Sequence, residues 1–169
     1  ARRDPESFDI VATDPEEELP DFERTKEKFL EEARVMAKFD HPGIVKVHEC
    51  FEANRTVYFV MPYQDGLTLA QAIRTRTSVG ENFPEKKAVD LLTKILEALQ
   101  YLHGRGVFHR DIKPQNILIT NSFDPVLIDF GGFASAGSSE AITVIESDGY
   151  TPYEQLKKET KIGAYTDLY

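Results

Sequence analysis

The sequence predicts an α+β chain, and three observations carry that reading. Two β-rich runs, Ile44–Phe51 and Thr56–Met61, stand next to each other across the turn-like Glu52–Arg55. A long amphipathic stretch, Phe83 to Gly106, carries its own helix start and stop residues. Three very short apolar runs then flank a polar segment, "HRDIKPQN" (His109–Asn116).

Size and charge narrow the function before any motif does. The chain has 169 residues, enough for one domain or most of one. Hydrophobic residues make up 41% and charged residues 29%, a balance that supports a core and excludes a disordered chain. The net charge of −9 argues against nucleic acid as the main partner, since phosphate binding wants a basic face. It fits a basic substrate, and equally a plain acidic surface. Cys50 is the only cysteine, which excludes an internal disulfide or a cysteine-based zinc site and fits a reducing, cytoplasmic setting. No apolar run approaches the ~18 residues of a membrane span, so no membrane contact is expected of this segment, although an anchor elsewhere in a longer parent chain stays open. Oligomeric state is not legible.

Taken in order, residues 1–21 are polar, with Pro5, Pro15, Pro20 and the run Glu16, Glu17, Glu18, and read as a loop. A helix is expected from Phe22, with Phe29, Ala33 and Met36 on one face, until "DHPGI" (Asp40–Ile44) breaks it. The two strands follow, and "PYQDG" (Pro62–Gly66) stops the second. A short helix is expected from about Leu67 to Arg74. In the long helix, Ala88, Leu92, Ile95, Leu96, Leu99 and Leu102 form the expected apolar stripe, with Pro84 at its start and Gly104 at its end. Of the short runs "GVF", "NILIT" and "PVLID", the last two are joined by "NSFD" and predict a hairpin. The polar segment therefore sits on a loop between a long helix and a small sheet, a suitable support for reactive groups. Ala134–Asp148, rich in Ser, Ala and Gly, reads as a mobile segment.

Thirteen residues after Asn116 comes "DFG" (Asp129, Phe130, Gly131). Alone, either motif would be an ordinary turn. Together, behind a capped amphipathic helix, they resemble the signature set of protein kinases. "HRDIKPQN" resembles the catalytic loop, "DFG" the metal-binding turn, and "GYTPYEQ" (Gly149–Gln155) a variant of the segment that closes the activation loop. "FLEEARVMAKFDHPGIV" (Phe29–Val45) is similar to the family's helix αC and the loop after it. "YFVMPYQDG" (Tyr58–Gly66) is similar to the hinge strand, and "AYTDLY" (Ala164–Tyr169) to the start of the helix after the activation loop. The likeness covers nearly the whole chain from Phe22 onward.

The resemblance implies a partial two-lobe kinase fold: a loop over 1–21, part of the small lobe over 22–61, a hinge over 62–66 and part of the large lobe over 67–169. It implies a Ser/Thr protein kinase that uses ATP and Mg2+ on protein hydroxyls, of the eukaryotic-like bacterial style judged from "DGYTPYEQ". Such chemistry needs charge neutralisation on the triphosphate and an aligned hydroxyl, and magnesium prefers hard oxygen ligands. By resemblance Asp129 and Asn116 hold the metals, Asp111 takes or orients the substrate proton, and Lys113 steadies the γ-phosphate. Lys113, at this position, points to Ser/Thr substrates. Glu32 would pair with a lysine on the family's third strand, its register resting on the family alignment, because Glu31 beside it is chemically identical. Met61 falls at the gatekeeper, the Pro62 carbonyl and the Gln64 backbone would read adenine, and Leu118 would lie under the ring. Met36, Val47, His109 and Phe130 match an apolar column, with Asp167 anchoring its base; ordinary core packing satisfies the same residues. Arg110 would bind a phosphorylated activation loop, with Thr143 the first candidate and Ser138 and Ser139 behind it, or would pair with Glu140 or Glu146. Ser147 matches a threonine whose hydroxyl meets the catalytic Asp and Lys, and Glu154 a structural glutamate with an arginine partner.

The family's glycine-rich loop and its third-strand lysine are not in this sequence, and residues 1–21 contain no glycine. The expectation is a fragment of a kinase domain, truncated at both ends and inactive in isolation. The alternative is a nucleotide-binding or interaction module without catalysis, against which all four of Asp111, Lys113, Asn116 and Asp129 are present.

Overall fold

The computed structural model of the chain describes residues 2–3, 10–11, 26–27, 29–31, 33–129, 134–135, 149–156 and 163–169. Two units divide it: Ala1–Asp40 with Lys46–Tyr63, and His41–Val45 with Gln64–Tyr169.

In the first unit, β1 (Arg2–Arg3) pairs antiparallel with β2 (Ile10–Val11). Helix α1 comprises the helical residues 26–27, 29–31 and 33–36. Ala33 and Met36 are buried, while Phe29, the third residue of the expected face, is exposed but stacks on Phe59 with ring centroids 4.1 Å apart. The expected start at Phe22 lies outside the described residues. Strands β3 (Glu49–Ala53) and β4 (Thr56–Val60) form an antiparallel hairpin in which Cys50 faces Phe59 and Ala53 faces Thr56. Its turn residues Asn54 and Arg55 both have positive φ, 50° and 56°, the two-residue geometry whose twist matches the strands.

The expected strand Ile44–Phe51 is shorter than the sequence suggested. Pairing with β4 starts at Glu49, because the first residues of the run serve the other unit. There Ile44 bridges Leu127 in parallel, and the Val45 N–H donates to the Leu127 carbonyl at 3.0 Å. An apolar run reports burial; it does not report which partner does the burying.

The second unit begins with β5 (Gly66–Thr68) and α2 (Leu69–Ser78). This corrects the helix expected at Leu67–Arg74. Leu67 pairs with Ile119, and the helix starts one residue after Thr68 because Thr68 and Gln71 form a reciprocal cap. The Gln71 N–H donates to Thr68 Oγ1 at 3.2 Å, while the Thr68 N–H donates to Gln71 Oε1 at 2.8 Å.

Helix α3 (Glu85–His103) starts after Pro84 and stops at Gly104, as its end residues predict. Its inner face is turned from the expected one. Ile95, Leu99 and Leu102 are buried, but Leu91 and Ala98 join them, while Ala88, Leu92 and Leu96 are exposed. The helix carries more apolar residues than one stripe needs, and Ala98 decides the choice. A Cβ on Gly43 would stand 3.0 Å from that of Ala98, so the small side chain lets the two backbones come close.

The remaining strands are β6 (Val107–Phe108), β7 (Ile117–Thr120), β8 (Pro125–Leu127) and β9 (Ala134–Ser135). A three-stranded antiparallel sheet runs β5-β7-β8, and β6 pairs with β9. The expected β7–β8 hairpin is present, with Ile117 opposite Leu127. Helix α4 (Tyr153–Leu156) and the 3-10 turn Ala164–Leu168 complete the described chain. Among the described residues no helix is long and apolar enough to cross a membrane.

Gly66 is where β5 can approach β7 only without a side chain: a Cβ would stand 2.2 Å from the Ile119 carbonyl oxygen. Gly66→Ala is expected to lower unfolding free energy by about 1–3 kcal/mol, the range of an overpacked site. Urea denaturation measures it, and an unchanged midpoint would contradict the close approach.

Candidate active site

The polar segment folds as a loop between β6 and β7, closing on the 3-10 turn Pro114–Asn116. A loop of polar groups at this depth needs acceptors for its backbone donors. Asp167, buried in the 3-10 turn near the end of the chain, supplies them. Its Oδ2 accepts the His109 N–H at 2.9 Å and its Oδ1 the Arg110 N–H at 2.6 Å. His103 Nε2, from the last turn of α3, lies 2.7 Å from Oδ2. Arg110 holds φ at +66°, a left-handed conformation that costs a non-glycine residue about 1–2 kcal/mol. The two donors on Asp167 are that residue's own N–H and its predecessor's, and these bonds offset the cost.

Beyond the turn, three of the expected residues converge. Lys113 Nζ and Asn116 Nδ2 each lie 2.7 Å from the same oxygen, Asp111 Oδ2. Asn116 Nδ2 also donates to the Asp111 carbonyl at 3.0 Å. Asp111 and Asn116 are buried and Lys113 is half-buried, so the carboxylate is held on one oxygen by an ammonium and an amide away from bulk water. The Ile128 N–H donates to the Asn116 carbonyl at 2.9 Å, which sets Asn116 beside the residue preceding Asp129. Asp129 is exposed, with φ +61°. The arrangement suits chemistry in which one oriented carboxylate handles a proton, the Lys113 ammonium meets negative charge, and neighbouring oxygens are of the hard type that a divalent cation takes.

His109 is fully buried, and burial pushes its pKa below the ordinary 6.5, against the opposing pull of the Asp167, Asp111 and Asp129 charges and the Ile128 backbone. The Asp111 N–H donates to its Nδ1 at 3.4 Å, as a neutral ring allows. The ring is therefore part of the core, where the sequence reading placed it.

Of the other expected residues, Leu118 is half-buried on β7, Met61 is exposed and Pro62 half-buried after β4, and Gln64 is exposed before β5. Arg110 is buried, as are Met36 and Val47. Glu32, Phe130, Ser138, Ser139, Glu140, Thr143, Glu146 and Ser147 lie outside the described residues. Glu154 Oε1 accepts from Thr166 Oγ1 at 3.1 Å, tying α4 to the turn that carries Asp167. Sequence reasoning missed His103 and Thr166. The one available signal for His103, a basic side chain in the last helical turn, is common to many helix ends.

A family model described as the protein kinase domain matches residues 9–169, and the chain belongs to that family. It is 34% identical over 137 residues to the serine/threonine-protein kinase PknD of Chlamydia pneumoniae, covering 77% of this chain and 15% of that protein. With the serine/threonine-protein kinase cds1 of Schizosaccharomyces pombe it shares 41% identity over 108 residues, 64% of this chain and 23% of that one. Its backbone matches a solved structure of PpkA-294 in apo form with a TM-score of 0.80 and 30% identity, covering 99% of this chain and 58% of the other. The fold is thus a partial kinase fold, mixed helix and sheet, and the chain spans only part of each of these relatives.

The burial of His109 has a pH signature. Its folded pKa lies below its unfolded one, so below pH ~6.5 the unfolded chain binds a proton that the folded chain refuses. Unfolding free energy is expected to fall as pH drops from about 6.5, by up to about 1.4 kcal/mol per pH unit from this group. Subtracting the pH profile of a His109→Leu variant isolates the contribution. Parallel profiles would contradict it.

Proposed function

We propose that the chain is catalytic machinery of a Ser/Thr protein kinase, transferring the γ-phosphate of ATP to serine or threonine hydroxyls of a protein substrate. The observation that carries this is the meeting of Lys113 and Asn116 on one oxygen of Asp111, in a loop whose backbone is fixed from behind by Asp167. Family membership and relatives described as serine/threonine-protein kinases support it.

Asp111 is the proposed acceptor or orienter of the substrate hydroxyl proton, and the amide and ammonium on its Oδ2 fix which way the carboxylate turns. Lys113 offers a point charge to the transferring phosphoryl group. The residues present fit magnesium. Asn116 uses its amide nitrogen on Asp111, so its hard carbonyl oxygen is the atom left to serve as a ligand, and Asp129 brings an exposed carboxylate to the same end of the hairpin. Magnesium is ordinarily held by one or two such side chains together with substrate phosphates. When bound, Mg-ATP supplies the phosphoryl group and neutralises its developing charge. The proposed nucleotide residues are the Met61 gatekeeper, the Pro62 carbonyl, the Gln64 backbone and the Leu118 side chain, with Glu32 pairing a lysine.

Regulation by a phosphorylated activation loop is proposed through Arg110, with Thr143 as first acceptor and Ser147 offering its hydroxyl to Asp111 and Lys113. A cytoplasmic location is proposed on Cys50 as the only cysteine.

Transfer of labelled phosphate from Mg-ATP to Ser/Thr peptides by the full protein tests the reading. Asp111→Asn is expected to lower kcat by about 100-fold or more, with KM for Mg-ATP changed little. Nucleotide binding with no transfer by the wild type would establish a non-catalytic module instead.

A further inference from the structure

We infer that Phe123, in the turn of the β7–β8 hairpin, is a positioning residue for the two proposed magnesium ligands at the hairpin's other end; this rests on the kinase reading above. Phe123 holds φ at +66°, a left-handed conformation in which a bulky side chain is an outlier. Asn121 and Asp124, residue types that accept that conformation more readily, stand in the same turn. Thr120 closes the turn. Its carbonyl accepts the Phe123 N–H at 2.9 Å, its N–H donates to the Asp124 carbonyl at 3.0 Å, and its Oγ1 accepts the Asp124 N–H at 3.1 Å. A ring kept where a small polar residue would be easier is explained by what the ring touches.

It touches the α2–α3 connection and the first turn of α3. The Phe83 ring stacks on it with centroids 6.1 Å apart, and Lys87 Nζ lies 4.4 Å from its centroid. Phe83 is backed by the Arg76 guanidinium of α2, 6.0 Å from its own centroid, which Glu81 and the Asn82 carbonyl hold at 2.8 and 3.2 Å. Two turns further along α3, Lys94 pairs with Asp124. The hairpin turn is thus clamped to both helices. Pairing with β5 and with the His41–Val45 segment fixes the hairpin sideways, and the clamp sets its tilt. The turn stands only about 13 Å from Asn116, the length of the four residues of β7 at ~3.3 Å each, so a tilt at one end moves the other. That other end carries Asn116 just before β7 and Asp129 two residues after β8, and there the Ile128 N–H donates to the Asn116 carbonyl at 2.9 Å. A divalent ion held by one side chain from each strand responds to how the two are placed.

The test uses three variants of the full protein, each shown folded by circular dichroism. Phe123→Asn accepts the left-handed turn without the ring, Phe123→Tyr keeps the ring, and Phe83→Leu removes its partner from the other side. Phe123→Asn is expected to raise the Mg2+ concentration for half-maximal transfer about five-fold or more, with peptide KM within about two-fold, and Phe123→Tyr to stay near wild type. Phe83→Leu is expected to shift it in the same direction, and the double variant to show less than the two shifts combined. A merely structural loss would lower stability without moving the magnesium requirement. Amide hydrogen exchange reads the clamp without any transfer: at Ile128 it is expected to quicken in Phe123→Asn and not in Phe123→Tyr. An unchanged magnesium requirement in Phe123→Asn would overturn the inference, as would quickening confined to Thr120–Asp124, Phe123→Tyr behaving like Phe123→Asn, or full additivity of the Asn and Leu shifts. If the wild type transfers no phosphate, the kinase reading fails by itself. Exchange at Ile128 then still decides on Phe123, and unchanged protection there in Phe123→Asn overturns its role.

Discussion

One buried carboxylate organises the second unit. Asp167 accepts the main-chain donors of His109 and Arg110 and the ring of His103, and these contacts reach back across more than half of the unit's sequence. Burying a charge without partners is costly, so the carboxylate and the loop specify each other: the loop's N–H groups satisfy the charge, and the charge holds a strained turn. The chemistry is built on that turn. Asp111, Lys113 and Asn116 follow within six residues of Arg110, and the 3-10 turn feeds directly into β7.

The sheet carries the other half of the site by the same logic. β7 begins at Ile117, one residue after Asn116, and β8 ends at Leu127, two residues before Asp129, so the hairpin register brings both proposed magnesium ligands to one end. Leu127 is also where the His41–Val45 segment attaches, its N–H donating to the Gly43 carbonyl at 2.9 Å. The hairpin is thus fixed along both its edges, by β5 on one side and by this segment on the other.

Much of this was legible in the sequence where the signal was local. The ends of α3 follow from Pro84 and Gly104, and the β7–β8 hairpin from two apolar runs around a four-residue turn. The meeting of Asp111, Lys113 and Asn116 is local as well, spanning six residues. Legibility failed where a distant partner decides. Ile44 looked like the start of the β3 strand, and only Leu127 shows that it belongs elsewhere. The inward face of α3 could not be chosen among its surplus of apolar positions without Gly43 against Ala98. His103 is an ordinary helix-end residue until Asp167, 64 residues later, comes within 2.7 Å. Asp167 itself was indicated only by likeness to a family, since an aspartate in "AYTDLY" has no local feature that marks it for burial.

The most direct measurement is single-turnover phosphate transfer by the full protein carrying Asp167→Asn, with Mg-ATP affinity measured on the same preparation. Asparagine keeps the size but replaces one acceptor oxygen with a donor, which must then face an N–H of the loop or the His103 ring. If Asp167 governs the turn that presents Asp111, transfer falls by about 100-fold or more while nucleotide affinity stays close to wild type. A folded Asp167→Asn protein that transfers phosphate at the wild-type rate would contradict the account.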